Sequence, residues 1–468
     1  MQSGETQPTG LLPLERRAAL SLSLIYGVRM LGLFIILPVF TLLAADYEGS
    51  TPVLIGLGLG IYGLCQALLQ IPFGMMSDRI GRKPVIVAGL ILFFIGSIVA
   101  ASADDIYWLV IGRALQGAGA ISAALIALAA DLTRDEQRTK MMATLGGSIG
   151  IAFVASLILG PLLANWFSLS ALFWFTAVCS VVALLLVIFS VPTPATHKVS
   201  GDTVANLREI GRLLHNGQLV RLDISIFVLH LIVTATFVGV PLALAAQGSA
   251  IADHWHWYLP ALLLSVAVMI PLVIIAEKYR RIRPVFLLAV SGIGIAQLAL
   301  FSGVNSLWML FFGLVVFFSF FNTLEALLPS LISKLSPPGS KGSAMGIYST
   351  GQFLGAFVGG VGGGWLYDIA GLSGLFVALA GLCAMWLFVV LGLQNPKAVS
   401  SYIWTVGDIS LQQGQELVGS LQQVEGVDDA VVVCEEGVAY LKVDKRLFNP
   451  AHLPGLLPKV DDTAMATG

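Results

Sequence analysis

Twelve apolar runs, each about twenty residues long and set between short polar loops, leave this 468-residue chain very few ways to fold. About 20 apolar residues rising about 1.5 Å each cross the hydrocarbon core of a bilayer. No water reaches that core, so a spanning segment must pair its own backbone groups, and a helix does so. The runs lie approximately at 18–43, 53–75, 84–103, 107–130, 141–164, 170–190, 222–245, 257–276, 284–303, 307–332, 344–366 and 373–393. Only 11% of the residues are charged and 57% are hydrophobic, against about 25% charged in an ordinary soluble domain. The expected fold class is an all-α membrane protein of twelve transmembrane helices in two six-helix halves, followed by a small α+β domain.

The net charge of −2 says little, but the placement of charge says much. One set of loops holds Arg16, Arg17, Arg79, Arg82, Lys83, Arg134, Arg138, Lys140, Lys198, Arg208, Arg212, Arg221, Lys278, Arg280, Arg281, Arg283, Lys334, Lys341 and Lys397, while the alternate loops hold no Lys or Arg. The positive-inside rule then puts both termini in the cytoplasm. Residues 1–13 are polar and the first apolar run is full length, so no cleavable signal is expected. Cys65, Cys179, Cys383 and Cys434 show no metal or redox spacing, and neither a disulfide nor a metal site is expected.

Residues 191–220 break the apolar pattern. Leu207, Ile210, Leu213 and Leu214 recur there at helical spacing, which predicts an amphipathic helix at the membrane surface. The connector separates a first half, 1–190, from a second, 221–395. Pro38 and Pro241 are offset by 203, and Arg82-Lys83-Pro84-Val85 matches Ile282-Arg283-Pro284-Val285 at an offset of 200. Weak symmetry between two six-span halves is what alternating-access transporters show, with the substrate site between the halves. Residues 396–468 are soluble in character. Alternation at Tyr402, Trp404 and Val406, a helix over Leu411–Val424, strands at Ala430–Cys434 and Val438–Val443, and a possible helix start at Pro450–Leu457 give a β-α-β-β-α order. That order suggests a ferredoxin-like domain, short of its last strand.

The stretch Gly74-Met75-Met76-Ser77-Asp78-Arg79-Ile80-Gly81-Arg82-Lys83 packs charges and glycines into the tight turn between spans 2 and 3. It resembles the cytoplasmic loop signature of the major facilitator superfamily of secondary transporters. The resemblance implies that Asp78 caps the N-terminus of helix 11, near Gly342-Ser343-Ala344, and that Arg82 pairs with the acid closing helix 4, Asp131. With Gly74, Arg79 and Gly81 these residues would latch the halves in the outward-facing state. Topology anchoring by positive charge is the plainer alternative.

Further residues sit at membrane depth. Arg113 lies about 10 Å inside span 4, and its surroundings, Arg113-x-x-Gln116-Gly117-x-Gly119-Ala120, resemble the family's helix 4 signature, linked there to proton coupling. Ser156-x-x-x-Gly160-Pro161 partly resembles the helix 5 antiporter signature, although Ser156 and Ala164-Asn165 replace glycines; tight packing alone would also use Gly160 and Pro161. Arg29 lies near the middle of span 1, and His230 and Glu325 lie at similar depth, roughly 12–14 Å in from the cytoplasmic side. Burial disfavours the charged form of either group, so each can trade a proton near neutral pH. A structural hydrogen bond is the alternative for each. Glycines from Gly351 to Gly364 give span 11 a face for close packing.

Nearly the whole chain resembles a drug–proton antiporter of this superfamily, including a bacterial member with a cytoplasmic ferredoxin-like tail. The resemblance implies a monomer in the bacterial inner membrane that exports small molecules against protons. Its partners would be protons, a small-molecule substrate and the lipid bilayer, with no nucleic acid and no cofactor. Gly407-Asp408-Ile409-Ser410 stands where metal-chaperone ferredoxin-like domains carry Cys-x-x-Cys, so the tail is not expected to bind copper or zinc. A proton–solute symporter would use the same scaffold, and a sensor signalling through the tail is a third reading. No nucleophile–base constellation suggests an enzyme.

Overall fold

A computed structural model describes residues 11–134, 137–192, 207–337, 340–395, 400–407, 409–434, 437–443, 447–450, 453 and 455. The first half contains α1 (Pro13–Phe34) with the short α2 (Phe40–Leu43), α3 (Pro52–Ile80), α4 (Arg82–Ala101), α5 (Ile106–Ala118), α6 (Ser122–Asp131), α7 (Arg138–Trp166) and α8 (Leu169–Phe189). After α9 (Leu207–Leu214) come α10 (Gly217–Ala246), α11 (Trp255–Glu277), α12 (Ile282–Gly303), α13 (Leu307–Leu335) and α14 (Lys341–Val390). Among the described residues, eleven helical stretches are long and apolar enough to cross a membrane. α14 counts as two crossings. Its 50 residues would run about 75 Å if straight, and the chain turns at Gly371 (φ 65°, ψ −169°), a conformation that costs glycine little. Twelve crossings result.

Local chemistry sets where the helices begin. Thr51, Asp105 and Ser168 each accept a hydrogen bond from the backbone N–H three residues on, capping α3, α5 and α8. α3 ends at Gly81, whose φ of 98° lets α4 start at once. Span 4 is broken between α5 and α6 at Gly119, where φ −72° and ψ 53° leave the helical region.

Basic side chains cap the far end of α8. Arg17 Nε donates to the Ser190 carbonyl (3.0 Å) and Lys83 Nζ to that of Val191 (2.5 Å), placing positive charge on unpaired carbonyls. In the second half Arg283 Nη2 donates to the Leu391 carbonyl (2.9 Å). Both partners of this second bond are 200 residues beyond those of the Lys83 bond, so the repeat seen in the sequence recurs in space.

The chain separates into two compact units. The first holds most of the helices, through residues 1–199, 223–327 and 348–393; the second holds 200–222, 328–347 and 394–468. Within the second unit β1 (Ser400–Thr405), α15 (Leu411–Leu421), β2 (Val427–Val433) and β3 (Val438–Val443) form an antiparallel sheet in the order β1-β3-β2. That order matches part of a ferredoxin-like sheet. Its small core is Val406, Leu417, Leu421, Ala430, Ala439, Leu441, Val443 and Leu453, and Ser410 and Gln413 form a capping box at the head of α15. The expected helix at Pro450–Leu457 falls largely outside the described residues, as do Asp408 and connector residues 193–206.

Lys442, on β3, is buried and donates from Nζ to the carbonyl of Lys334 near the end of α13 (2.8 Å). Burial pulls its ammonium below the usual lysine range, and the Asp429 carboxylate opposes that pull. Removing residues 396–468 should leave the twelve crossings inserted, because each pairs its own backbone. Protease protection of the helical body in membrane vesicles checks this; a truncated chain that fails to insert would contradict it.

Candidate functional site

The motif turn assembles around Arg82, which is 6% exposed. Its guanidinium pairs with the Asp78 carboxylate on the preceding turn, donates from Nη1 to Ser77 Oγ (2.8 Å) and meets Asp131 Oδ2 through Nε (3.1 Å). Arg82 thus ties the α3–α4 turn to the end of α6. Gly81 supplies the turn, Gly74 approaches Ala123 across α6, and Arg79 faces outward. The start of α14, the partner expected for Asp78, belongs to the other unit. A second ion pair stands at the same ends of the helices: Glu15 accepts from the Arg134 backbone N–H (3.0 Å) and Nε (2.9 Å). Sequence reasoning missed Glu15, because an acid in the first turn of a helix reads as ordinary dipole compensation.

The four candidates for proton coupling fall into two clusters. Arg29 and Arg113 lie in the first half, on either side of Tyr62. Arg29 Nη2 donates to Tyr62 Oη (2.9 Å), Gln66 Oε1 (3.2 Å) and the Gly119 carbonyl (3.0 Å), the last freed by the break in span 4. Arg113 donates from Nε to the Gly58 carbonyl (3.1 Å) and from Nη1 to Gln116 Oε1 (2.8 Å), and its guanidinium lies 5.2 Å from the centre of the Tyr62 ring. These contacts, with the bond from Gln116 Nε2 to Ser97 Oγ (2.9 Å), knit α1, α3, α4 and α5 into one body.

His230 on α10 and Glu325 on α13 form the second cluster. Imidazole Nδ1 lies 3.6 Å from Glu325 Oε1, and the two side chains keep 16% and 31% of their surface accessible. Gln352 on α14 brings its Nε2 within 2.9 Å of the other ring nitrogen. Asp223, two turns before His230 on α10, and Tyr348, one turn before Gln352, complete the polar group; Tyr348 feels the charge of both carboxylates. Asp223 and Gln352 went unnoticed in the sequence, the first because it stands close to the polar connector, the second because a neutral amide carries little burial penalty to mark it.

An aromatic layer stands about 10 Å from this cluster, on the side away from the basic loops. Phe153 of α7 meets Phe237 of α10 and Phe318 of α13 edge-on, with centroids 6.5 and 6.3 Å apart, and Phe34 of α1 backs it at 5.3 Å. Gly160 sits on α1 so closely that a Cβ would strike the Ile35 carbonyl, and Pro161 follows it inside α7. Beyond the aromatic layer α3 and α14 touch backbone to backbone. A Cβ on Gly56 would collide with the Gly360 carbonyl, and one on Gly60 would come within 2.6 Å of that of Phe357. The opposite edge of α14 lies equally close to α10, where Gly355 and Gly359 face the carbonyls of Phe227 and Leu231. The first crossing of α14, part of the second half, is therefore packed between α10 of that half and α3 of the first half on glycine contacts.

Comparison with known proteins fits this architecture. The Major Facilitator Superfamily model matches residues 22–276 and 222–406. The inner membrane transport protein YajR of Escherichia coli K12 is 42% identical over 439 residues, covering 94% of this chain and 96% of its own length. The multidrug resistance protein MdtH of Proteus mirabilis is 28% identical, covering 73% of this chain and 84% of its own. Among solved structures, a bacterial homologue of the human lysosomal transporter Spinster, in an inward-facing and occupied conformation, matches in fold with a TM-score of 0.68 at 15% identity, over 82% of this chain and 97% of that one. Twelve crossings in two related halves, the motif turn around Arg82 and these matches lead to one assignment: the chain is a multi-pass membrane transporter that belongs to the Major Facilitator Superfamily.

Proposed function

We propose that this transporter is a proton-coupled antiporter of the bacterial inner membrane, exporting small molecules by alternating access with both termini in the cytoplasm. The observation that carries the reading is the His230–Glu325 pair, whose buried Nδ1 and Oε1 atoms lie 3.6 Å apart at one depth of α10 and α13. A charged carboxylate left unpaired at that depth costs several kcal/mol. It takes up a proton in one state and gives it up, or pairs, in the other. Arg113 and Arg29, held by neutral acceptors, fix the first half around Tyr62 and are the secondary candidates for coupling. The multidrug resistance named for MdtH and the inner membrane named for YajR support the direction and the location. The working unit is a monomer of two halves, 1–190 and 221–395, joined by the connector 191–220 and followed by the cytoplasmic domain at 396–468.

The turn at Gly74–Lys83 acts as the latch of the outward-facing state. Asp78→Asn should weaken that state and reduce transport while insertion stays normal. Unchanged external labelling of cysteine probes in the variant would count against the latch.

Proteoliposomes holding a trapped pH dye test the coupling and its direction together. Cationic drugs and metabolites added one at a time should include a substrate whose movement drives protons the opposite way. Protons moving with the substrate would make the protein a symporter, and pH changes identical to those of empty liposomes across the panel would count against proton coupling.

A further inference from the structure

We infer that Gln352 is the positioning residue that reads the protonation state of His230 and passes it to α14, the helix through which the second half meets α3 of the first. This rests on the proton-coupled reading and names the element through which a proton moves the halves. Gln352 Nε2 lies 2.9 Å from His230 Nε2. An amide N–H donated to a ring nitrogen needs a lone pair there, so this contact holds a neutral imidazole with its proton on Nδ1, the atom 3.6 Å from Glu325 Oε1. Once the ring gains a second proton, Nε2 becomes a donor and the same contact sets N–H against N–H. The amide must then turn its oxygen inward or move away. A neutral amide offers both answers, and a group that is only a donor or only an acceptor offers one.

What Gln352 moves follows from its neighbours in the chain. Gly351, Gly355 and Gly359 lie along α10, with Gly355 and Gly359 in backbone contact at Phe227 and Leu231. Phe353, Phe357, Gly360 and Gly364 lie along α3 of the first half, at Gly63, Gly60, Gly56 and Pro52. Surfaces of glycine and carbonyl slide with little side-chain rearrangement. A small rotation of α14 that lets the amide turn therefore changes the contact between the halves directly. Among the described residues, the charged and titratable groups of this cluster are Asp223 on the helix of His230, Glu325 on α13 and Tyr348 on α14.

The test needs no substrate. Spin labels at Lys140→Cys and Tyr279→Cys, one in each half, are placed in full-length protein with Cys65, Cys179, Cys383 and Cys434 replaced. Distance distributions are then recorded by pulsed electron resonance from acid to alkaline pH. The wild-type background should change its populations with pH. Gln352→Met, close in size but unable to hydrogen-bond, should lose at least three-quarters of that change. Gln352→Glu sets a carboxylate against the ring, favours the protonated cluster and should move the midpoint up by about one pH unit. Wild-type response in both variants overturns the inference and leaves the proton site standing. A Glu325→Gln background that keeps the wild-type response takes the proton site off Glu325 instead.

Discussion

Glu325→Gln should abolish transport driven by a pH gradient while leaving substrate binding and membrane insertion intact. The glutamine keeps the shape of the side chain and can still hydrogen-bond, but it cannot take up or release a proton. Glu325 stands well inside an apolar crossing, beside an imidazole. Exchange of substrate for substrate across equal pH needs no net proton movement, so it should survive in the variant. Loss of both gradient-driven uptake and exchange would point to damaged folding, and undiminished gradient-driven uptake would move the proton site to another group. His230→Gln should have the smaller effect, because Glu325 can still carry a proton without its neighbour.

Gly355→Ala should be among the most destabilising single-methyl changes in the molecule. Its Cβ would run into the Phe227 carbonyl, and neither α10 nor α14 can yield without breaking the contacts at Gly351 and Gly359. Overpacking costs about 1–3 kcal/mol where side chains can shift, and a clash of backbone with backbone belongs at the upper end. Gly362→Ala is the control. It lies on the same helix with nothing within 4 Å of its added Cβ, so the helix propensity of alanine should leave stability unchanged or raise it by up to about 1 kcal/mol. Thermal unfolding in detergent should separate the two by several degrees in Tm. Equal melting of both variants would mean that the α10–α14 contact is not close-packed in solution.

Much of this could be read before any coordinates. Apolar length gave the crossings, and the gap between the eleventh and twelfth runs coincides with the turn at Gly371. Depth counting put His230 and Glu325 at one level, and their side chains meet. The motif implied Arg82 beside Asp131, and those groups pair at 3.1 Å. Other features left no mark in the pattern. Span 4 reads as one run at 107–130, because a break at Gly119 removes no apolar residue; its freed carbonyl shows only when Arg29 is found bonded to it. Depth alone could not separate Arg29 and Arg113 from His230 and Glu325, since the number of residues from a helix end says nothing about which half a side chain faces. Gln352 was invisible for a related reason: its importance lies in one ring nitrogen of a distant residue.

The central claim, that Glu325 carries the coupled proton, is tested most directly by infrared difference spectroscopy of the full-length protein in lipid during a pH titration. The account predicts a protonated-carboxyl C=O band that appears as pH falls, shifts in heavy water and is missing from Glu325→Gln. A band of unchanged position and amplitude in that variant would contradict it.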